Sequence, residues 1–324
     1  MNWQIQVPNP KYSFDLSHKD KVFSIGSCFA QHIADKLCHY KFYCINNPYG
    51  ILFHPKPILK NLLSALKDEK IDDTLFLKRE DGIFHYSCHS SIWADSKDDL
   101  KKRLQELQSF VSNELIESNI LILTFGTAFL YQLASSGKSV ANCHKQSNHT
   151  FTKVLSSPDD IQTVFRSFYS ELKKKNPKIQ IILTVSPVRH IRDGIHESNL
   201  SKSVLLLACD KIQKLFEDVH YFPAYEIVID QLRDYRFYSK DRVHPNDEAQ
   251  DYVWSKFVST LLTKDSLNLN NDLDKLFSSI SHKPFRESSD SHQRFLKQTF
   301  ELAQALNEKV NLEKELIELK SRMQ

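Results

Sequence analysis

The sequence predicts an α/β fold of three layers: a mainly parallel central sheet of flavodoxin-like plan, helices on both faces, and a C-terminal helical extension. Three observations lead there. Near-continuous apolar runs recur at 22–25, 120–124 and 179–185, as expected of strands buried on both faces. Each run is broken one or two residues past its end, by Gly26, Gly126 or Pro187. Amphipathic patterns of helical period occupy 100–115 and 159–175, ahead of the second and third runs, and 201–216 after the third. In such sheets ligands bind beyond the carboxyl ends of the strands, the edge where Ser27, Gly126 and Ser186 fall.

The elements follow in order. In VFSIGSCFAQHIADKL the strand passes through Gly26 and Ser27 into a helix whose Phe29, Ile33 and Leu37 recur at i, i+4 and i+8 beside Ala30 and Ala34. A serine at that junction can cap the helix or act as a nucleophile where exposed N–H groups stabilise developing charge. Residues 41–99 form a long excursion with a turn at NNPYG, a helix around 57–66 and a hairpin turning at Asp81-Gly82; it is expected to roof the carboxyl edge. The stretch VHYFPAYEIVID, after the 201–216 helix, reads as strand-like. Tyr252, Val253, Phe257 and Leu261 mark a last helix of the main domain, 15–262. Residues 263–324 then divide into a polar linker and one long helix from about 287 to 322, with Leu302, Ala305, Lys309, Leu312, Leu316, Leu319 and Met323 at 3–4 spacing. That helix packs on its own domain or serves a homo-oligomer.

Bulk properties remove several function classes. Apolar content of 41% and charged content of 26% are those of a globular chain of 324 residues. No run reaches the 18 apolar residues of a membrane span, and no apolar signal core opens the chain. Cys28, Cys38, Cys44, Cys88, Cys143 and Cys209 are scattered, so free thiols and a cytoplasmic location are expected. With a net charge of +3, runs such as Lys173-Lys174-Lys175 read as solvated helix faces, and no nucleic-acid partner is expected. No glycine-rich phosphate loop follows any strand.

A nucleophilic serine needs a base within hydrogen-bond reach and a carboxylate to fix the base's tautomer. Asp241 and His244, three apart and followed by Pro245 and Asn246, are the pair best suited: held on a loop, the carboxylate can meet one imidazole nitrogen and leave the other free. By itself an Asp-x-x-His segment is equally the signature of a surface turn.

GSCFA at 26–30 is the name-giving motif of the GSCFA domain family, bacterial proteins that resemble the SGNH (GDSL-like) hydrolase superfamily. NNPYGILFHP, LTFGTAFLY, VANCHK, TVSPVRHIRDG and YFPAYEIVIDQLRDYRFYSKDRVHP resemble that family in the expected order, over roughly 15–262, with the appended helix outside it. The resemblance implies an SGNH-like fold with Ser27 as nucleophile, Gly50 as an oxyanion N–H donor, Gly126 opening the third block, and Asp241 and His244 completing the triad. It departs from the pattern twice: no aspartate stands between Gly and Ser in the first block, and Ala128 replaces the third block's asparagine. Loss of one oxyanion donor costs about 3 kcal/mol; Asn142 and Thr127 are the candidate replacements. The implied function is a serine esterase or deacylase acting on a short-chain or O-acetyl ester of a small molecule or carbohydrate. The alternatives are an O-acyltransferase acting on a carbohydrate and a catalytically silent binding module.

Other residues carry weaker signals. Arg189 and Arg192 follow the third strand and can grip an anionic substrate group or pair with Glu226 or Asp230. Cys28 reads as a small buried thiol. His54, His85, Cys88, His89, Cys143 and His144 lack metal-ligand spacing, so neither metal nor cofactor is expected. The charged and aromatic run 233–238 reads as a brace for the catalytic loop.

Overall fold

The computed structural model describes residues 4–285 and 289–323. Strand β1 (Lys21–Gly26) is buried from Val22 onward and passes through Ser27 into α1 (Cys28–His39). The edge strand β2 (Tyr43–Asn46) pairs parallel with β1, Lys21 opposite Tyr43. Helix α2 (Pro55–Lys67) starts with proline at its first position, where a missing N–H costs nothing. A small antiparallel sheet of β3 (Phe76–Arg79), β4 (Gly82–His85) and β5 (Trp93–Ala94) follows, its hairpin turning at Asp81-Gly82 as expected. Then come α3 (Lys97–Glu117) and β6 (Ile120–Phe125), which is buried throughout.

A second antiparallel sheet joins β7 (Phe129–Leu133), β8 (Ser139–Val140) and β9 (Phe151–Leu155). Next are α4 (Pro158–Lys175), started by a Ser157–Asp160 capping box, then β10 (Gln180–Val185), α5 (Ile195–Gln213) and β11 (Val219–Tyr221). The strand-like reading of VHYFPAYEIVID holds for its first three residues. Pro223 cannot donate to a ladder, and the chain winds into α6 (Ala224–Glu226) and a π-turn at Ile227–Gln231. Helix α7 (Asp247–Leu261) closes the main domain.

The five-stranded sheet runs β11-β10-β6-β1-β2, every pair parallel. Side chains alternate across it. Phe23, Ile25, Leu121, Leu123, Phe125, Ile181 and Leu183 meet α2–α5, while Val22, Ile120, Ile122 and Ile182 meet α1 and α7. Three layers result. Gly26 is obligatory at the end of β1. Its φ is +150°, and an added Cβ would stand 2.1 Å from the Thr124 carbonyl oxygen.

The C-terminal part departs from expectation. The stretch read as a polar linker holds α8 (Lys264–Ser281), whose Leu269, Leu273 and Leu276 are buried. The single long helix is two, α9 (Asp290–Asn307) and α10 (Glu313–Arg322); its expected start at 287 lies outside the described residues. Between them Asn307 Oδ1 accepts the Leu312 N–H at 2.8 Å and Asn311 Oδ1 that of Glu313, so asparagine side chains replace backbone acceptors and break the helix. Helices α8–α10 share a core of Leu273, Leu276, Leu296, Ala303, Leu312 and Leu319. They are tied to the α1–β2 turn by Lys41–Glu315 at 2.5 Å and Tyr40–Asp274 at 2.8 Å. No helix among the described residues is long and apolar enough to cross a membrane.

Candidate active site

The loop between the π-turn and α7 is built by its own hydrogen bonds. Asn246 caps α7 by accepting the Ala249 N–H, and its Nδ2 donates to the Arg236 carbonyl at 2.7 Å. Asn246 N–H reaches the Phe237 carbonyl, and Ser239 N–H that of His244. The 233–238 run thus holds the loop from behind. Arg242 takes a left-handed φ of +62°, bending the chain so that Asp241 faces forward along it. Asp241 Oδ1 accepts the N–H groups of Val243 and His244, and Oδ2 meets His244 Nδ1 at 2.6 Å. The backbone N–H of Val243, then that of His244, then the imidazole hold the Asp241 carboxyl down at about 2. His244 Nε2 has no partner among the described residues, and the side chain is 49% exposed.

His244 and Pro245 line a narrow cleft with Cys28, Phe29 and His32 of α1, Val188 after β10, and Gln250 of α7. Ser27, the residue before Cys28, does not line this cleft and is 1% exposed. Its Oγ accepts the Phe29 N–H at 3.3 Å, capping α1, and makes no hydrogen bond to His244 among the described residues. Cys28, read as buried, is partly exposed and faces the cleft.

The other expected site residues fall as follows. Gly50, with φ +73°, gives its N–H to Asn47 O at 2.7 Å, closing the NNPYG turn. Gly126 N–H bonds Phe53 O at 2.7 Å. Thr127 Oγ1 pairs with Ser201 Oγ at 3.1 Å and accepts the Phe129 N–H. Asn142 Oδ1 accepts the His144 N–H and the Ser90 hydroxyl, a turn-forming role beside β4. Arg189 Nη1 donates to Asn199 Oδ1 at 2.5 Å rather than to Glu226 or Asp230. Among the described residues no group of three or more His, Cys, Asp or Glu side chains is poised to hold a metal.

Two residues escaped the sequence reading. Lys202, on α5, is 1% exposed, and its Nζ donates to the carbonyls of Gly126 at 2.6 Å and Ser186 at 2.7 Å, at the ends of β6 and β10. Burial pushes its ammonium down to about 7. A lysine in SKSVLLLACD gives no sign of facing inward; only helical phase, reckoned from Leu205 and Cys209, puts it on the sheet side. Asn47 Oδ1 accepts the Gly26 N–H at 2.7 Å, while its Nδ2 is buried with no hydrogen-bond partner among the described residues. An unpaired buried donor costs about 1–3 kcal/mol, and this one stands beside the β1–α1 junction.

A model of the GSCFA family matches residues 21–257, and one of the GSCFA domain protein C-terminal domain matches 273–324. The second match brings the C-terminal helices, expected outside the family, within it. No curated protein matches the sequence. Among solved structures the chain is similar to an acetyl xylan esterase, Est2A, from the rumen bacterium Butyrivibrio proteoclasticus. The identity is 14% and the TM-score 0.42, over 80% of this chain and 66% of that one.

Proposed function

This chain belongs to the GSCFA family, and we propose that it hydrolyses an O-acyl ester, short-chain or O-acetyl, through an acyl-enzyme intermediate. One observation carries the reading: an imidazole clamped at Nδ1 by Asp241, free at Nε2, and set across a cleft from the start of α1. His244 takes the nucleophile's proton at Nε2 and returns it to the leaving alcohol. Asp241 fixes the tautomer and stabilises the imidazolium. Ser27 and Cys28 are the two side chains of the β1–α1 junction able to attack a carbonyl. The Cys28 N–H, at the first position of the helix where the backbone supplies no acceptor, and Asn47 Nδ2 are the donors assigned to the oxyanion.

The test is acid release from aryl acetate, aryl butyrate and a peracetylated monosaccharide by the full chain and by His244→Ala. Ester-dependent release that His244→Ala removes is the expected result. Release that requires an added sugar acceptor reassigns the chain as an O-acyltransferase. No release above buffer, or equal release by the variant, leaves a ligand-binding module in place of an enzyme.

A further inference from the structure

We infer that the nucleophile is the Cys28 thiol, one residue beyond Ser27, and that the intermediate is a thioester; the reaction assumed is that of the hydrolase reading above. Ser27 and Cys28 are adjacent, but the entry to α1 turns them in different directions. Ser27 has extended dihedrals, φ −71° and ψ 175°, and its hydroxyl is spent on the helix cap, 1% exposed. Cys28 is the first helical residue. His32 stands one turn further along the same face, and both line the cleft with His244, while Ile33 is buried against the sheet.

The surroundings of Cys28 suit a thiol that reacts through a base. The backbone N–H groups of Phe29 and Cys28 and the charge of Lys202 act on the sulfur. These favour a thiolate, as the start of a 12-residue helix does. Burial opposes them and wins, holding the thiol above its ordinary value. A thiol so placed is not ionised on its own and needs a base, and His244 is the imidazole across the cleft that a carboxylate orients.

The step balances without a co-reactant other than water. The Cys28 S–H proton passes to His244 Nε2 as Sγ bonds to the ester carbonyl carbon. The C–O bond then breaks, and His244 returns the proton to the departing alkoxide, giving the alcohol and an S-acyl cysteine. Water, deprotonated by His244, attacks the thioester. The C–S bond breaks, and the acid and the free thiol are restored.

The test uses the full chain with para-nitrophenyl acetate, acid quench and peptide mass mapping. An acetyl group on Cys28, released by neutral hydroxylamine as a thioester is, is expected in the parent and in Ser27→Ala, and absent in Cys28→Ala. Cys28→Ser should recover part of the turnover that Cys28→Ala loses, with a label now stable to hydroxylamine. An acetyl group on Ser27, or turnover that survives Cys28→Ala but not Ser27→Ala, overturns the assignment while leaving the hydrolase reading intact. If the parent cleaves no ester, the hydrolase reading fails, and alkylation by iodoacetamide decides this one. Cys28 should then be alkylated about tenfold more slowly, or slower still, in His244→Ala at neutral pH. An equal or faster rate refutes it.

Discussion

Replacing Lys202 by methionine should change how stability depends on pH. In the folded chain the ammonium is enclosed, and burial lowers its proton affinity from the ordinary 10.5 to about 7. Between those values the unfolded chain holds the proton and the folded chain does not. Unfolded protein then binds more protons, so stability rises with pH, by about 1.4 kcal/mol per pH unit. Below pH 7 both states are protonated and the contribution is flat. Methionine fills similar space and does not titrate. Losing the donors to Gly126 O and Ser186 O shifts its stability by an amount independent of pH. Every other titrating group is common to both proteins and largely cancels in the difference. Urea unfolding of both at intervals from about pH 6 to pH 9 should show the parent gaining about 2–3 kcal/mol on the variant between pH 7 and 9. Parallel curves would mean that the two carbonyls keep the ammonium charged throughout, contradicting the claim that burial dominates.

Gly26→Ala should cost about 3 kcal/mol or more, since a side chain there meets the Thr124 carbonyl at a positive φ, and soluble yield and melting temperature report it. Asp241→Asn should lower kcat by about 10²–10⁴ with little change in melting temperature, because the amide no longer holds the catalytic tautomer. Leu273→Ala, in the three-helix core of α8–α10, should cost about 2–5 kcal/mol, read by thermal melting, and leave kcat/KM unchanged.

The parts legible in the sequence are those whose signal is local and strong. β1, β6 and β10 announce themselves because strands buried on both faces need unbroken apolar runs. β2 is four residues of an edge strand, YCIN, with Tyr43 exposed, and carries no such pattern. α8 was hidden by NLNNDLDK, a run of poor helix formers that holds its helix through Leu269, Leu273 and Leu276 instead. In the site, Asp241 and His244 could be paired because the loop brings together residues three apart. The different placement of the Ser27 and Cys28 side chains could not, since it depends on the dihedrals of a single junction residue. Nor could Asn47 be found, because its unpaired amide exists only once β2 lies beside β1.

The claim on which the rest depends is that His244 is the general base of an ester hydrolase. Its most direct measurement is kcat/KM for para-nitrophenyl acetate by His244→Ala and by the parent at neutral pH, with folding of both checked by thermal melting. A fall of about 10²-fold or more in the folded variant is the expected result. Equal kcat/KM in two equally folded proteins would contradict it.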